Sequence, residues 1–201
     1  MFESNSFKVC HHKPTLVYSD KFAKIDYYAA DEDGVSLFDG DLVVNLTRKP
    51  GIRAITTAYN IPQLAKHMRP LPEEIVLGWE DFSAPPVKSS FWKAFNSYCK
   101  NKNYNKVCFR CSHGHGRTGT SLAAMKIANL GFDAESAILT VRDTYCQMAI
   151  ESREQIYYLI NLDKELNNAP YLDDSKIEEM VDKLDFDPRL LISKMNLFNN
   201  E

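Results

Sequence analysis

The chain has 201 residues, 44% of them hydrophobic and 25% charged, a size and balance that suit one well-cored soluble domain and exclude a disordered, collagen-like or coiled-coil chain. Twenty-four basic residues against 27 acidic ones leave a net charge of −3, so bulk charge does not draw the chain to nucleic acid or an anionic membrane, and any anionic partner must be met locally. Five cysteines, Cys10, Cys99, Cys108, Cys111 and Cys146, are odd in number and irregularly spaced; they predict free thiols in a reducing, cytoplasmic setting, and neither a secretory signal nor a membrane span is expected.

Residues 15–18 and 22–28 read as short strands and 30–34 as a turn. Residues 41–46 form a short apolar run bounded by turn residues, the pattern of a strand buried on both faces, and 74–77 and 106–109 repeat it. Residues 61–68 and 89–100 read as helices between them, the second with Phe91, Phe95 and Tyr98 spaced along one face. Strands alternating with helices predict an α/β fold with a central, mostly parallel sheet of about four to five strands. Beyond Phe109 the pattern is helical. Residues 118–130 stop at Gly131, 134–142 follow an Asp133 cap, and 152–166 begin with Ser152 and Gln155 as a capping box. Residues 170–201 carry eight acids and four bases, an acidic helical tail whose Ile177, Met180, Val181 and Leu184 are expected to pack on the body, residues 1–169.

The densest chemical signal is residues 107–120, VCFRCSHGHGRTGT. A buried strand ends at Cys111, a glycine-rich loop follows, and a helix starts near Arg117. Loop amides and the helix N-terminus make an anion cradle there, Gly114 and Gly116 permit the tight curvature, and Arg117 offers a planar fork for two oxygens. All these groups favour a thiolate at Cys111. Gly114, Gly116 and Gly119 also match the dinucleotide pattern G-x-G-x-x-G, but no second strand ending in an acid follows about 20 residues on. Cys108, Cys111, His113 and His115 have metal-like spacing, yet Cys108 and Cys111 lie three apart on an extended segment and point to opposite faces. A tight turn with an incidental cysteine does not explain why Cys111, Gly114, Gly116 and Arg117 coincide.

Cys111-x5-Arg117-Thr118-Gly119 resembles the signature of the cysteine-based protein tyrosine and dual-specificity phosphatases, H-C-x-x-G-x-x-R-[ST]-G. Residues 79–85, WEDFSAP, are similar to the family's mobile W-P-D-F-x-x-P loop, and 150–155, IESREQ, stand where it has a glutamine-bearing loop. The resemblance covers residues 40–165 and implies a phosphatase-like catalytic body. It implies a nucleophilic Cys111 that forms a phosphocysteine, and phosphate held by Arg117 and the loop residues Ser112, His113, Gly114, His115 and Gly116. Asp81 would be the general acid, Thr118 a hydroxyl donor to the Cys111 sulfur, Gln155 and Glu151 water-positioning groups, and Trp79 a packing hinge. Neither a metal nor a cofactor is implied.

The chain departs from the family pattern at Arg110, where the family has His, at Glu80 in place of the loop proline, and at Glu151 in place of Gln. The implied substrate is a phosphorylated protein. Cys111-Ser112-His113-Gly114 also resembles the C-T-H-G opening of RNA 5′-triphosphatases, and His115 stands where phosphoinositide phosphatases carry lysine, so an RNA 5′ end and a phosphoinositide stay open. A silent phosphate-binding module is the non-enzymatic alternative.

Overall fold

The computed structural model describes residues 12–47, 71–167 and 173–185; the helix expected at 61–68 lies outside them. Strands β1 (Thr15–Asp20) and β2 (Ile25–Ala30) form an antiparallel hairpin. Its turn is held by Asp20, whose Oδ1 accepts the amides of Phe22 at 3.0 Å and Ala23 at 2.9 Å. Strands β3 (Leu42–Asn45), β4 (Glu73–Val76) and β5 (Lys106–Arg110) complete a five-stranded sheet in the order β1-β2-β5-β3-β4. Every pairing but the hairpin is parallel, as the α/β reading requires.

β3 is buried along its whole length and β5 along all but its first residue, as expected of strands covered on both faces. β4 corrects the third such expectation. It is an edge strand with one ladder partner, and Glu73 and Val76 at its ends are exposed. Alternation along β5 sends Val107 and Phe109, with Cys111 beyond them, into the main core, and Cys108 into a smaller cluster with Ala30, Val35, Phe38 and Val43. Cys108 and Cys111 therefore face opposite sides of the sheet.

Five α-helices accompany the sheet among the described residues: α1 (Ser90–Asn101), α2 (Gly116–Leu130), α3 (Ala134–Thr144), α4 (Arg153–Asn167) and α5 (Asp174–Leu184). α1 buries Trp92, Phe95 and Cys99, which corrects the expected stripe of Phe91, Phe95 and Tyr98. Both sets share helical spacing and Phe95. The larger indole wins the interior, where its Nε1 donates to Tyr158 Oη at 2.6 Å, and Tyr98 is left 39% exposed. α2 is buried from Gly116 to Ala128 and ends at Gly131, whose φ of 70° closes the helix in the left-handed region. Gly119 makes room for the chain after α3, since a Cβ there would stand 2.7 Å from the Ala149 methyl.

The capping box before α4 closes differently from expectation. Ser152 Oγ accepts the Gln155 amide at 3.2 Å, but Gln155 Oε1 takes the amide of Glu151, at 2.9 Å, instead of that of Ser152. α5 packs Val181 and Leu184 into the main core. Arg142 on α3 clamps this end of the molecule, donating to the carbonyls of Ala149 and Ile150 at 3.0 Å and of Leu184 at 2.6 Å. Among the described residues no helix is long and apolar enough to cross a membrane.

Asp133 caps α3 by accepting the Ser136 amide at 2.8 Å. Partial burial pushes its carboxyl up, but the bonds from Ser136 outweigh this and hold it below the ordinary 3.8. The cap is at full strength above that value and is lost as the pH falls through the lower folded-state value. Asp133→Ala is expected to cost about 1 kcal/mol in urea unfolding at pH 7, with the difference from wild type shrinking below pH 3.8.

Candidate active site

β5 delivers Cys111, 3% exposed, to the start of the glycine-rich loop, and α2 begins at its far end. The loop is held at three places. Glu32 donates its amide to Ser112 O at 3.2 Å, and Tyr145 donates its hydroxyl to Gly114 O at 2.7 Å. Glu151 accepts the Gly116 amide on Oε2 at 2.8 Å and places Oε1 3.5 Å from His115 Nδ1. Gly114 has φ 76°, and a Cβ there would stand 2.6 Å from Tyr145 Oη and 3.1 Å from Ala30 O, so this position requires glycine. At Gly116 a Cβ would stand 2.6 Å from Glu151 Oε2, and the bare backbone is what admits the carboxylate. Two sequence expectations meet here. Glu151 buttresses the loop, and one amide of the anticipated cradle, that of Gly116, is engaged by it. Gln155 is wholly buried beside them, its Oε1 on the Glu151 amide and its Nε2 without a hydrogen-bond partner.

Arg117, 6% exposed, joins this loop to the 79–85 segment. Its Nη1 donates to Trp79 O at 3.0 Å and more weakly to Leu46 O at 3.5 Å, Nη2 reaches Ser112 Oγ at 3.4 Å, and Nε lies 3.2 Å from Asp81 Oδ1. Asp81 thus comes into the same site as Cys111 while its carboxylate stays 42% exposed. Trp79 is buried, the packing expected of it, and its indole donates to Ser83 O at 3.2 Å. Two residues that sequence reasoning missed latch this segment to the start of α4. Ser152 donates to Phe82 O, and Glu154 Oε1 accepts the Ala84 amide at 2.9 Å. Both lie within the 150–155 motif, which is the available signal.

Thr118 is wholly buried and its hydroxyl has no hydrogen-bond partner. The expected bond to the Cys111 sulfur is not made here. Thr120 and Ser121, by contrast, bond back to the carbonyls of Gly116 and Arg117. Arg110, in the family's histidine position, is 2% exposed and pairs with Glu74 on β4 at 3.6 Å. His113 is exposed. His115 is neither at the solvent edge nor turned outward: it is 5% exposed and packed toward Glu151, His12 and Cys146. Burial lowers its pKa, but Cys146 and Glu151 outweigh this and hold it up to about 10. Cys146 shows the reverse balance, burial raising it and the imidazoles of His115 and His12 bringing it down to about 6. A cleft of about 290 Å³ lined by Val87, Lys88, Ser89, Tyr158, Asn161, Leu162 and Glu165 contains none of these residues.

The Ser152 and Glu154 bonds hold the Asp81 segment down, each contributing about 0.5–1.5 kcal/mol. In a Trp92→Phe background, where Trp79 is the sole fluorophore of its kind, Ser152→Ala combined with Glu154→Ala is expected to red-shift emission and speed acrylamide quenching. Unchanged emission and quenching would show that these two bonds do not hold the segment.

The protein-tyrosine phosphatase family model matches residues 15–162. No curated protein matches the chain. Among solved structures, Tk-PTP in its active form is similar with a TM-score of 0.52 and 20% identity, over 79% of this chain and 98% of that one. A mouse putative dual specificity phosphatase complexed with zinc tungstate gives 0.54 and 13%, over 83% and 96%. PTPMT1 in complex with PI(5)P gives 0.51 and 13%, over 71% and 92%. At these identities the structural likeness is one of fold. The family match spans most of the chain, from the first strand to the last turns of α4, and takes in Cys111, Arg117 and Asp81 together: the chain belongs to the protein-tyrosine phosphatase family, as a cysteine-based phosphatase.

Proposed function

We propose that the chain is a phosphoprotein phosphatase, of tyrosine or dual specificity, that works through a phosphocysteine intermediate. The observation that carries this reading is the Arg117 guanidinium, which touches both the Cys111 loop, at Ser112, and the acid-bearing segment, at Trp79 and Asp81. A phosphate seated on the loop competes with Asp81 for that guanidinium. Binding then holds the phosphate oxygens and leaves the carboxyl facing the leaving group.

The thiolate of Cys111 attacks phosphorus, an S–P bond forms, and the bond from phosphorus to the ester oxygen breaks. Asp81 gives its proton to the departing oxygen. In the second step water attacks the phosphocysteine, Asp81 takes the water's proton, and phosphate leaves as the Cys111 thiolate is restored. The unpartnered hydroxyl of Thr118 supports a role in receiving the sulfur's negative charge at that moment, because a buried donor without a partner is otherwise a cost. The side chain of Gln155, buried beside the loop, is the better placed of the two water-positioning candidates, since both oxygens of Glu151 are directed to the loop itself.

The W-E-D-F form of the acid segment supports a phosphoprotein substrate. The likeness to PTPMT1, whose structure contains PI(5)P, puts a phosphoinositide on the test panel, although His115 is turned inward and offers no charge to a head group. A cytoplasmic setting and a catalytic unit in residues 1–169 followed by the acidic tail belong to the same proposal.

The test is a panel of phosphotyrosine and phosphoserine peptides, triphosphate-ended RNA and phosphoinositides. Turnover is expected on the peptides and is expected to disappear in Cys111→Ser, which retains peptide binding. Turnover confined to RNA ends or lipids would overturn the substrate assignment, and binding without turnover in the wild type would make the chain a recognition module. Asp81→Asn is expected to lower kcat on phosphopeptides by about 10²- to 10⁴-fold; an unchanged kcat would remove Asp81 from the mechanism.

A further inference from the structure

We propose that His12, His115 and Cys146 form a metal site of the zinc class against the phosphate loop. Each offers one ligand atom, and these atoms lie within 4.8 Å of one another. The residues come from the segment before β1, from the phosphate loop and from the chain after α3. His12 Nε2 and His115 Nε2 are both buried, and the group that meets them is the Cys146 sulfur, not an oxygen donor or acceptor, a weak match for a buried imidazole. His115 is 5% exposed and Cys146 9%, so nearby water does not relieve this.

The surroundings are those of a ligand shell. A metal-bound histidine characteristically gives its other ring nitrogen to a carboxylate, which sets the tautomer and directs the free nitrogen to the ion. His115 Nδ1 faces Glu151 Oε1 at 3.5 Å, leaving Nε2 for the metal. Asp31 holds the backbone of His12 on both sides, accepting its amide on Oδ2 at 2.7 Å and donating its own amide to His12 O at 3.0 Å. The imidazole of His12 packs on the rings of His115 and Tyr145, with centroids 4.9 and 4.8 Å apart.

Two imidazoles and a thiolate form a borderline-soft set that suits zinc and disfavours calcium or magnesium, which need oxygen ligands. Three protein ligands leave a fourth tetrahedral position for water. Zinc bonds of about 2.0 Å to nitrogen and 2.3 Å to sulfur require ligand atoms roughly 3.3–3.6 Å apart, so a separation of up to 4.8 Å closes by roughly 1.2–1.5 Å on binding. His12 is the half-buried member of the three and supplies that movement. The ion would join three chain segments at the loop that carries Cys111, as a structural element independent of the phosphatase reading.

The test uses full-length Cys111→Ser protein, which removes the other thiol of the loop. Titration with Co²⁺ is expected to give one equivalent bound, with a sulfur-to-cobalt charge-transfer band, and Zn²⁺ is expected to displace it, to resist a chromophoric chelator and to raise Tm. Adding Cys146→Ser is expected to abolish the charge-transfer band, and adding His12→Ala to weaken binding at least tenfold, with circular dichroism confirming the fold. If Cys146→Ser does not fold, His12→Ala, at the edge of the site, decides alone. Absence of stoichiometric metal in Cys111→Ser protein, or binding left unaltered by the ligand substitutions, overturns the site.

Discussion

The site depends on one buried cation. Arg117 is almost wholly removed from solvent, and a guanidinium in that position is tolerated only when its donors are matched. The partners come from three separate stretches of chain: Leu46 O just beyond β3, Trp79 O with the Asp81 carboxylate as an ion pair at 3.2 Å, and the Ser112 hydroxyl. None of these groups is near another in sequence except Trp79 and Asp81. The demand for partners on one arginine therefore draws the Asp81 segment and the Cys111 loop to a common point.

Beneath that cation the loop's shape is a matter of space. Gly114 permits the positive φ and the contact with Tyr145, Gly116 admits the Glu151 carboxylate, and Gly119 lets α2 close on Ala149. Three glycines within six residues bring the first turn of a helix and the 149–151 segment closer than any side chain would allow. Glu151 then secures Gly116 and His115, while Arg110, at the position where the family pattern has histidine, pairs with Glu74.

Much of this was legible in the sequence because the information is local. The strand-loop-helix succession around Cys111, the capping of α3 and the stop at Gly131 each depend on residues within one or two turns of each other. What escaped was non-local. The edge position of β4 follows from sheet order, which a four-residue apolar run does not encode. The buried stripe of α1 was one residue out because two registers share Phe95, and only the packing of Trp92 on Tyr158 separates them. His12, His115 and Cys146 span more than half the chain, and no spacing rule joins them. The metal-like spacing of Cys108 with Cys111 pointed elsewhere, and the sheet places those two thiols on opposite faces.

Arg142 has a consequence for how the molecule comes apart. One guanidinium grips the last carbonyl of α5, at Leu184, together with the two carbonyls that lead directly into Glu151. Fraying of α5 and loosening of the Glu151 buttress are thus linked through one side chain. In hydrogen exchange, the amides of α5 and those of residues 149–151 are therefore expected to open together, tying the acidic helix, remote from Cys111 in sequence, to the segment that buttresses its loop.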